Sequence, residues 1–241
     1  MTQGALECGT VSRHGLPHAA GAPTPVCPSL QAPLRTAENI TICYIMRMPS
    51  AAYRTLYDLA EDQMGYVTTA QARTAGVSTE SMVMMERRGS LHRTSRGVYR
   101  LVDFPTLPHA QYMQATLWPS GCRGVLSHET ALFLYELSDV DPSKVHITVP
   151  ATFRIQRDIP GYLMVHRASL SAEEKTGFEG MPITTPERSI RDCIEAQLGP
   201  DLLKEAIAQA RTRGLIDGNV ARALRQRLRR SAPLVAPAPR P

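Results

Sequence analysis

The stretch GYVTTAQARTAGVSTESMVMMERRGSLHRTSRGVYRL, residues 65–101, decides the fold. Glycines at Gly65, Gly76, Gly89 and Gly97 punctuate it, and the segments between them carry helix-start signals or alternate like strands. Thr68 or Thr69 is an N-cap for a short helix through Ala75, because a hydroxyl oxygen accepts the N–H groups that a first helical turn leaves without partners. The Gly76-Val77 turn leads to Ser78, a second N-cap, which opens a helix to Arg88 that Gly89 ends. Residues 90–94 and 98–102 then read as two short strands around a tight Ser95-Arg96-Gly97 connection. Upstream, Tyr53, Leu56, Tyr57 and Leu59 or Ala60 recur at helical spacing and predict a helix over 51–63, stopped by Gly65. Helix, short helix, glycine turn, helix and hairpin, in that order, predict a winged helix-turn-helix.

The partner such a unit implies is duplex DNA, since a helix held rigidly across a compact turn fits a major groove about 12 Å wide. On the third helix Met82 and Met85 share an inward face, leaving Thr79, Glu80, Ser81, Val83, Met84, Arg87 and Arg88 outward. Arg87, Arg88, Arg93, Arg96 and Arg100 follow one another with no acid among them. Guanidinium groups neutralise backbone phosphates and release counterions, so this run is the expected phosphate contact. Residues 79–86 hold two acids and no Lys or Arg, so base reading there falls to Thr79, Ser81 and apolar contacts with thymine methyls. The helix-start hydroxyls of Thr68, Thr69 and Ser78 complete the expected contact set. A protein-docking module is the competing reading, because short three-helix units also dock proteins and methionine-rich faces are usually core.

Charge is unevenly spread over the 241 residues. Residues 47–100 carry eight basic against five acidic groups, 101–203 eight against thirteen, and 204–241 nine against two. A polyanion is drawn to the two basic regions and repelled between them. Cys8, Cys27, Cys43, Cys122 and Cys193 are odd in number and widely spaced, which fits neither a disulfide framework nor a zinc knuckle and points to a reducing cytoplasm. No apolar run approaches the roughly 18 residues of a membrane span, and no secretory signal opens the chain. Residues 1–47 are rich in Gly, Pro and Ala and are expected to lack order, as are 231–241; Met46 and Met48, just before the first periodic segment, are read as candidate translation starts beside Met1.

A second domain is expected over 104–230, giving an α+β chain with the winged unit at 48–103. Helices are predicted at 107–118 and from a Ser127 cap to Glu136, strands at 145–149, 162–166 and 177–183, and further helices at 186–197, 200–213 and 217–230. Thr185-Pro186-Glu187 is an N-cap, a proline at the first helical position and an acid in the first turn. The last helix sets Val220, Leu224 and Leu228 in an apolar stripe beside Arg222, Arg225, Arg227, Arg229 and Arg230, a packed helix with solvated arginines. His128 and Glu129 suggest catalysis but fall in the first turn of a capped helix, where both have structural uses. Asp139, Asp141 and Asp158 lack metal-ligand spacing, and no phosphate loop or nucleophile elbow appears, so neither an enzyme nor a cofactor is expected.

Five segments resemble the AbiEi-type antitoxins of type IV toxin-antitoxin systems: GYVTTAQARTAGVS at 65–78, RRGSLHRTSRGVYRL at 87–101, LSHETALFLYELSDV at 126–140, VHITVP at 145–150 and GMPITTPERSIRDC at 180–193. The resemblance implies a winged-helix domain that represses its own operon at inverted repeats, two protomers to an operator. It implies a second domain countering a nucleotidyltransferase-like toxin, with Arg93, Arg96, Arg100, Thr79 and Ser81 as DNA contacts. STESMVMME at 78–86 is less basic than is common in the family. Without a toxin partner, the same chain reads as an orphan regulator or a protein-interaction module.

Overall fold

The computed structural model describes residues 50–155 and 158–231. The extension at 1–47, both alternative starts and residues 232–241 lie outside them; Ser231, expected in the tail, instead ends a helix.

Helix α1 (Ala51–Glu61) is capped by Ser50, whose Oγ accepts from the Tyr53 N–H at 3.2 Å. Its buried face is Tyr53, Leu56 and Ala60, the predicted stripe. Met64 and Gly65 then turn the chain at positive φ, 52° and 87°. At Gly65 a Cβ would stand 2.7 Å from the Phe104 ring, so glycine is required there on both counts. Strand β1 (Tyr66–Thr68) follows, then α2 (Thr69–Thr74), α3 (Thr79–Arg87), β2 (Leu91–Ser95) and β3 (Val98–Leu101). The three strands form an antiparallel sheet in the order β1-β3-β2. Val77 plugs the turn between α2 and α3, and Met82 is completely buried among Leu56, Leu91 and Leu101 in the core of this unit. Full burial of side chains of this size stabilises by roughly 1.5–3 kcal/mol each relative to exposure.

The rest of the described chain is α4 (Ala110–Leu117), β4 (Val125–Leu126), α5 (His128–Leu134), β5 (Val145–Val149), β6 (Leu163–Arg167), β7 (Lys175–Phe178), β8 (Met181–Thr184), α6 (Pro186–Glu195), α7 (Pro200–Thr212) and α8 (Gly218–Ser231). A mixed five-stranded sheet runs β6-β5-β4-β8-β7, parallel between β5 and β6 and between β4 and β8. One apolar core lies between this sheet and α4, and a second joins α5 to the three C-terminal helices through Leu132, Ile190, Ile207 and Leu224. The architecture is α+β, as expected.

Several local expectations change. The strand expected over 177–183 is two strands, β7 and β8, folded back at Glu179 and Gly180, both at positive φ. Strands β1 and β4 are additional, each three residues or fewer. Ser127 stands at the N-cap of α5 but makes no capping bond: its Oγ meets His128 Nδ1 at 3.0 Å and accepts from Thr148 Oγ1 at 2.8 Å. On α8 the buried stripe is Ala221, Leu224 and Leu228, with Val220 half-buried beside it, and Arg227 pairs with Glu195 at 2.6 Å.

Candidate nucleic-acid interface

The candidate face is assembled from three short elements whose ends are held by their own side chains. Thr68 caps α2, its Oγ1 accepting from the Gln71 N–H while the Gln71 side chain returns to the Thr68 N–H, a reciprocal capping box. Ser78 caps α3 by accepting from the Ser81 N–H at 3.2 Å. Met82 anchors α3 from beneath with half-buried Met85 beside it, which fixes the rotation that presents Glu80, Met84 and Arg87 to solvent. Thr79 and Ser81 are half-buried at the start of that helix. Ser81 Oγ accepts from Ser78 Oγ, and Thr79 Oγ1 accepts from Arg73 Nε at 3.2 Å.

The hairpin is tied to the same unit. The Thr69 N–H donates to Gly97 O at 2.9 Å, and Thr69 Oγ1 donates to the same carbonyl at 3.4 Å, so the wing turn is fastened to the start of α2. A shift in register between Arg93 and Ser95 marks an irregularity in β2 just before that turn. Arg87, Arg88, Arg93 and Arg96 are exposed, and among the described residues no carboxylate is paired with Arg87, Arg88 or Arg93. Arg100 differs: it is half-buried opposite His92, and its guanidinium donates to Phe104 O at 2.9 Å and Thr106 Oγ1 at 3.1 Å.

Two basic residues on this side were missed in the sequence. Arg73, in the last turn of α2, lies with Arg96 and Arg123 along a groove between the winged unit and the segment after α4. The signal for Arg73 was present, since the last residues of the helix preceding the turn adjoin the start of the recognition helix, where Thr79 meets it. Arg123 is a different case, reaching the groove only through tertiary folding, with its guanidinium also donating to Gly180 O at 3.1 Å.

Helix, strand, two helices across a glycine turn, and a sheet closed by a basic hairpin define a winged helix-turn-helix with an exposed cationic edge. Residues 54–102 match the family model described as transcriptional regulator, AbiEi antitoxin, so over the winged-helix segment the resemblance to AbiEi regulators holds. That family is one of regulators rather than enzymes. The crystal structure of the RV2827C protein from Mycobacterium tuberculosis is similar over 75% of this chain and 82% of that one, at 16% identity and a TM-score of 0.37. No curated protein matches the chain. Among the described residues no helix is long and apolar enough to cross a membrane.

Proposed function

We propose that this chain is a cytoplasmic, DNA-binding antitoxin that represses its own operon. Its winged unit, 48–103, grips inverted repeats in its promoter as a homodimer. Its second domain, 104–230, counters a nucleotidyltransferase-like toxin encoded nearby. The observation that carries the DNA reading is the acid-free arginine run from Arg87 to Arg93, exposed beside a recognition helix held by Ser78 and Met82. The proposed contacts are Thr68, Thr69, Ser78, Thr79, Ser81, Arg87, Arg88, Arg93, Arg96 and Arg100, with Arg73 added.

Within this set the roles divide by chemistry. Arginines at the helix end and wing supply charge that is indifferent to sequence, while α3 offers hydroxyls and the exposed Met84 for base edges and thymine methyls. Glu80, on the same face, disfavours phosphate near the helix start and orients that turn toward base edges.

Gel retardation of a duplex from the chain's own promoter tests the reading. The double substitution Arg93→Ala, Arg96→Ala should weaken binding and flatten the slope of log K against log salt by about 2, near one unit per lost phosphate contact. Undiminished affinity with an unchanged slope refutes the wing assignment. The same variant, expressed with the neighbouring gene, should still relieve growth arrest, because toxin neutralisation is assigned to the other domain.

A further inference from the structure

Three histidines far apart in the chain converge on one face of the larger sheet. His128 opens α5, His146 lies in β5 and His166 in β6. The parallel register pairs His146 with Met164 and Thr148 with His166, so His146 and His166 project from the same face as diagonal neighbours. The alternate residues Ile147, Val149 and Leu163 fill the core on the opposite face. His166 Nε2 stands 3.2 Å from His146 Nδ1, and the His128 ring stacks on His166 with centroids 3.6 Å apart. One ring nitrogen of each residue lies within 4.8 Å of those of the other two.

These distances have a chemical meaning. Two nitrogens bound to one tetrahedral zinc, each about 2.0–2.1 Å from it, are themselves about 3.3 Å apart. The His146–His166 pair is already at that spacing, and a ring nitrogen of His128 lies within 4.8 Å of both. Ser127 Oγ, fixed by Thr148, stands 3.0 Å from His128 Nδ1, an outer-shell contact of the kind that orients a ligating imidazole. His128 also holds φ at 52°, a backbone region that costs a non-glycine residue energy and that recurs at functional sites.

A neutral imidazole has one lone-pair nitrogen, and the 3.2 Å contact between His166 Nε2 and His146 Nδ1 is a hydrogen bond that a bound cation replaces. The nearby Arg188 is paired with Glu174 and Asp192, which offsets its charge. No carboxylate belongs to the group, so its donor set is unsuited to magnesium or calcium.

We propose that His128, His146 and His166 form a binding site for a divalent first-row transition cation of the zinc type, held by three imidazole nitrogens with its remaining position open to solvent. Occupied, the site pins the start of α5 to β5 and to the edge strand β6.

The test uses the full chain stripped with a chelator and titrated with Co2+, read by its visible d–d absorption, with Zn2+ in competition. One equivalent should bind with a four-coordinate spectrum, Zn2+ should displace it, and Zn2+ should raise Tm. His128→Asn, chosen because Asn tolerates positive φ, and His166→Gln should each weaken Co2+ binding by at least about tenfold and remove the Zn2+ effect on Tm. Both variants are checked for folding by circular dichroism. A folded variant that binds Co2+ as tightly as the parent overturns the proposal, as does a parent chain that takes up none.

Discussion

Arg93 and Arg100 lie on neighbouring strands of the wing, yet their guanidinium groups have different surroundings. Arg93 extends into solvent, whereas Arg100 fastens β3 to the segment leaving the winged unit through Phe104 O and Thr106 Oγ1. Losing two such bonds costs about 1–2 kcal/mol, which in a chain of this size lowers Tm by roughly 2–8 °C. Arg100→Ala should therefore show a lower melting temperature by circular dichroism, while Arg93→Ala melts like the parent and shows its defect only with DNA. An unchanged Tm for Arg100→Ala would return that residue to the DNA-contact group on equal terms with Arg93. Sequence could not separate the two, because both are arginines in a hairpin with the same pattern. What distinguishes them is where Phe104 and Thr106 pass. Caps and turn glycines were legible at this scale, since Ser78, Thr68 and Gly65 act on residues within a few positions of themselves.

The same locality governs what was readable in the elements. Helices α1, α3, α6 and α7 were placed within a few residues, because the apolar periodicity, and for α3 and α6 the cap, is contained in the segment itself. Strands β1 and β4 were missed: at three and two residues they hold no alternation, and β4 exists because β5 and β8 flank it. The histidine group was missed for a related reason, since register between β5 and β6 brings His146 and His166 together, not their spacing in sequence. Another long-range device secures β7 to α6. Glu174, just before β7, receives Arg188 Nη1 at 2.8 Å, Arg191 Nη2 and the Ser171 N–H at 3.1 Å. Partial burial opposes its charge, but the bonds from Arg188, Ser171 and Arg191 outweigh this and hold its carboxyl at about 2. A carboxylate held low when folded and near 4.5 when unfolded stabilises fully above the higher value, and the benefit disappears as pH falls to the lower. Glu174→Gln should thus destabilise by roughly 1–2 kcal/mol at pH 7, allowing for solvent screening, with the gap from the parent closing between about pH 4.5 and 2. Urea unfolding of both chains across that range checks it; a gap that does not depend on pH removes the ionic clamp.

At the scale of the molecule, the proposed boundary at 103/104 does not divide the core. Met64, Tyr66 and Val98 of the winged unit are buried in the same cluster as Met113, Trp118 and Ile183 beyond it. The seam is also polar: Tyr66 Oη donates to Gln114 Oε1 at 3.4 Å, Arg100 donates to Thr106 Oγ1 at 3.1 Å, and the Asp62 carbonyl would stand 3.3 Å from a Cβ at Gly180. The described residues accordingly form one compact unit by their contacts. Shared apolar burial makes the unfolding of either part expose surface of the other, so the free energies are not independent. Scanning calorimetry of the full chain should give a single transition, and Met64→Ala should lower the whole of it rather than split it, by the 2–5 kcal/mol or so of a buried methionine truncation. Two resolved transitions, one of them unmoved by Met64→Ala, would show that the winged unit folds apart from the second domain. The coupling has a functional consequence, because a ligand that binds only the folded winged unit stabilises everything sharing its core. Operator DNA should therefore raise the melting temperature recorded by Trp118, which is buried in that common core, beyond the segments proposed to contact DNA.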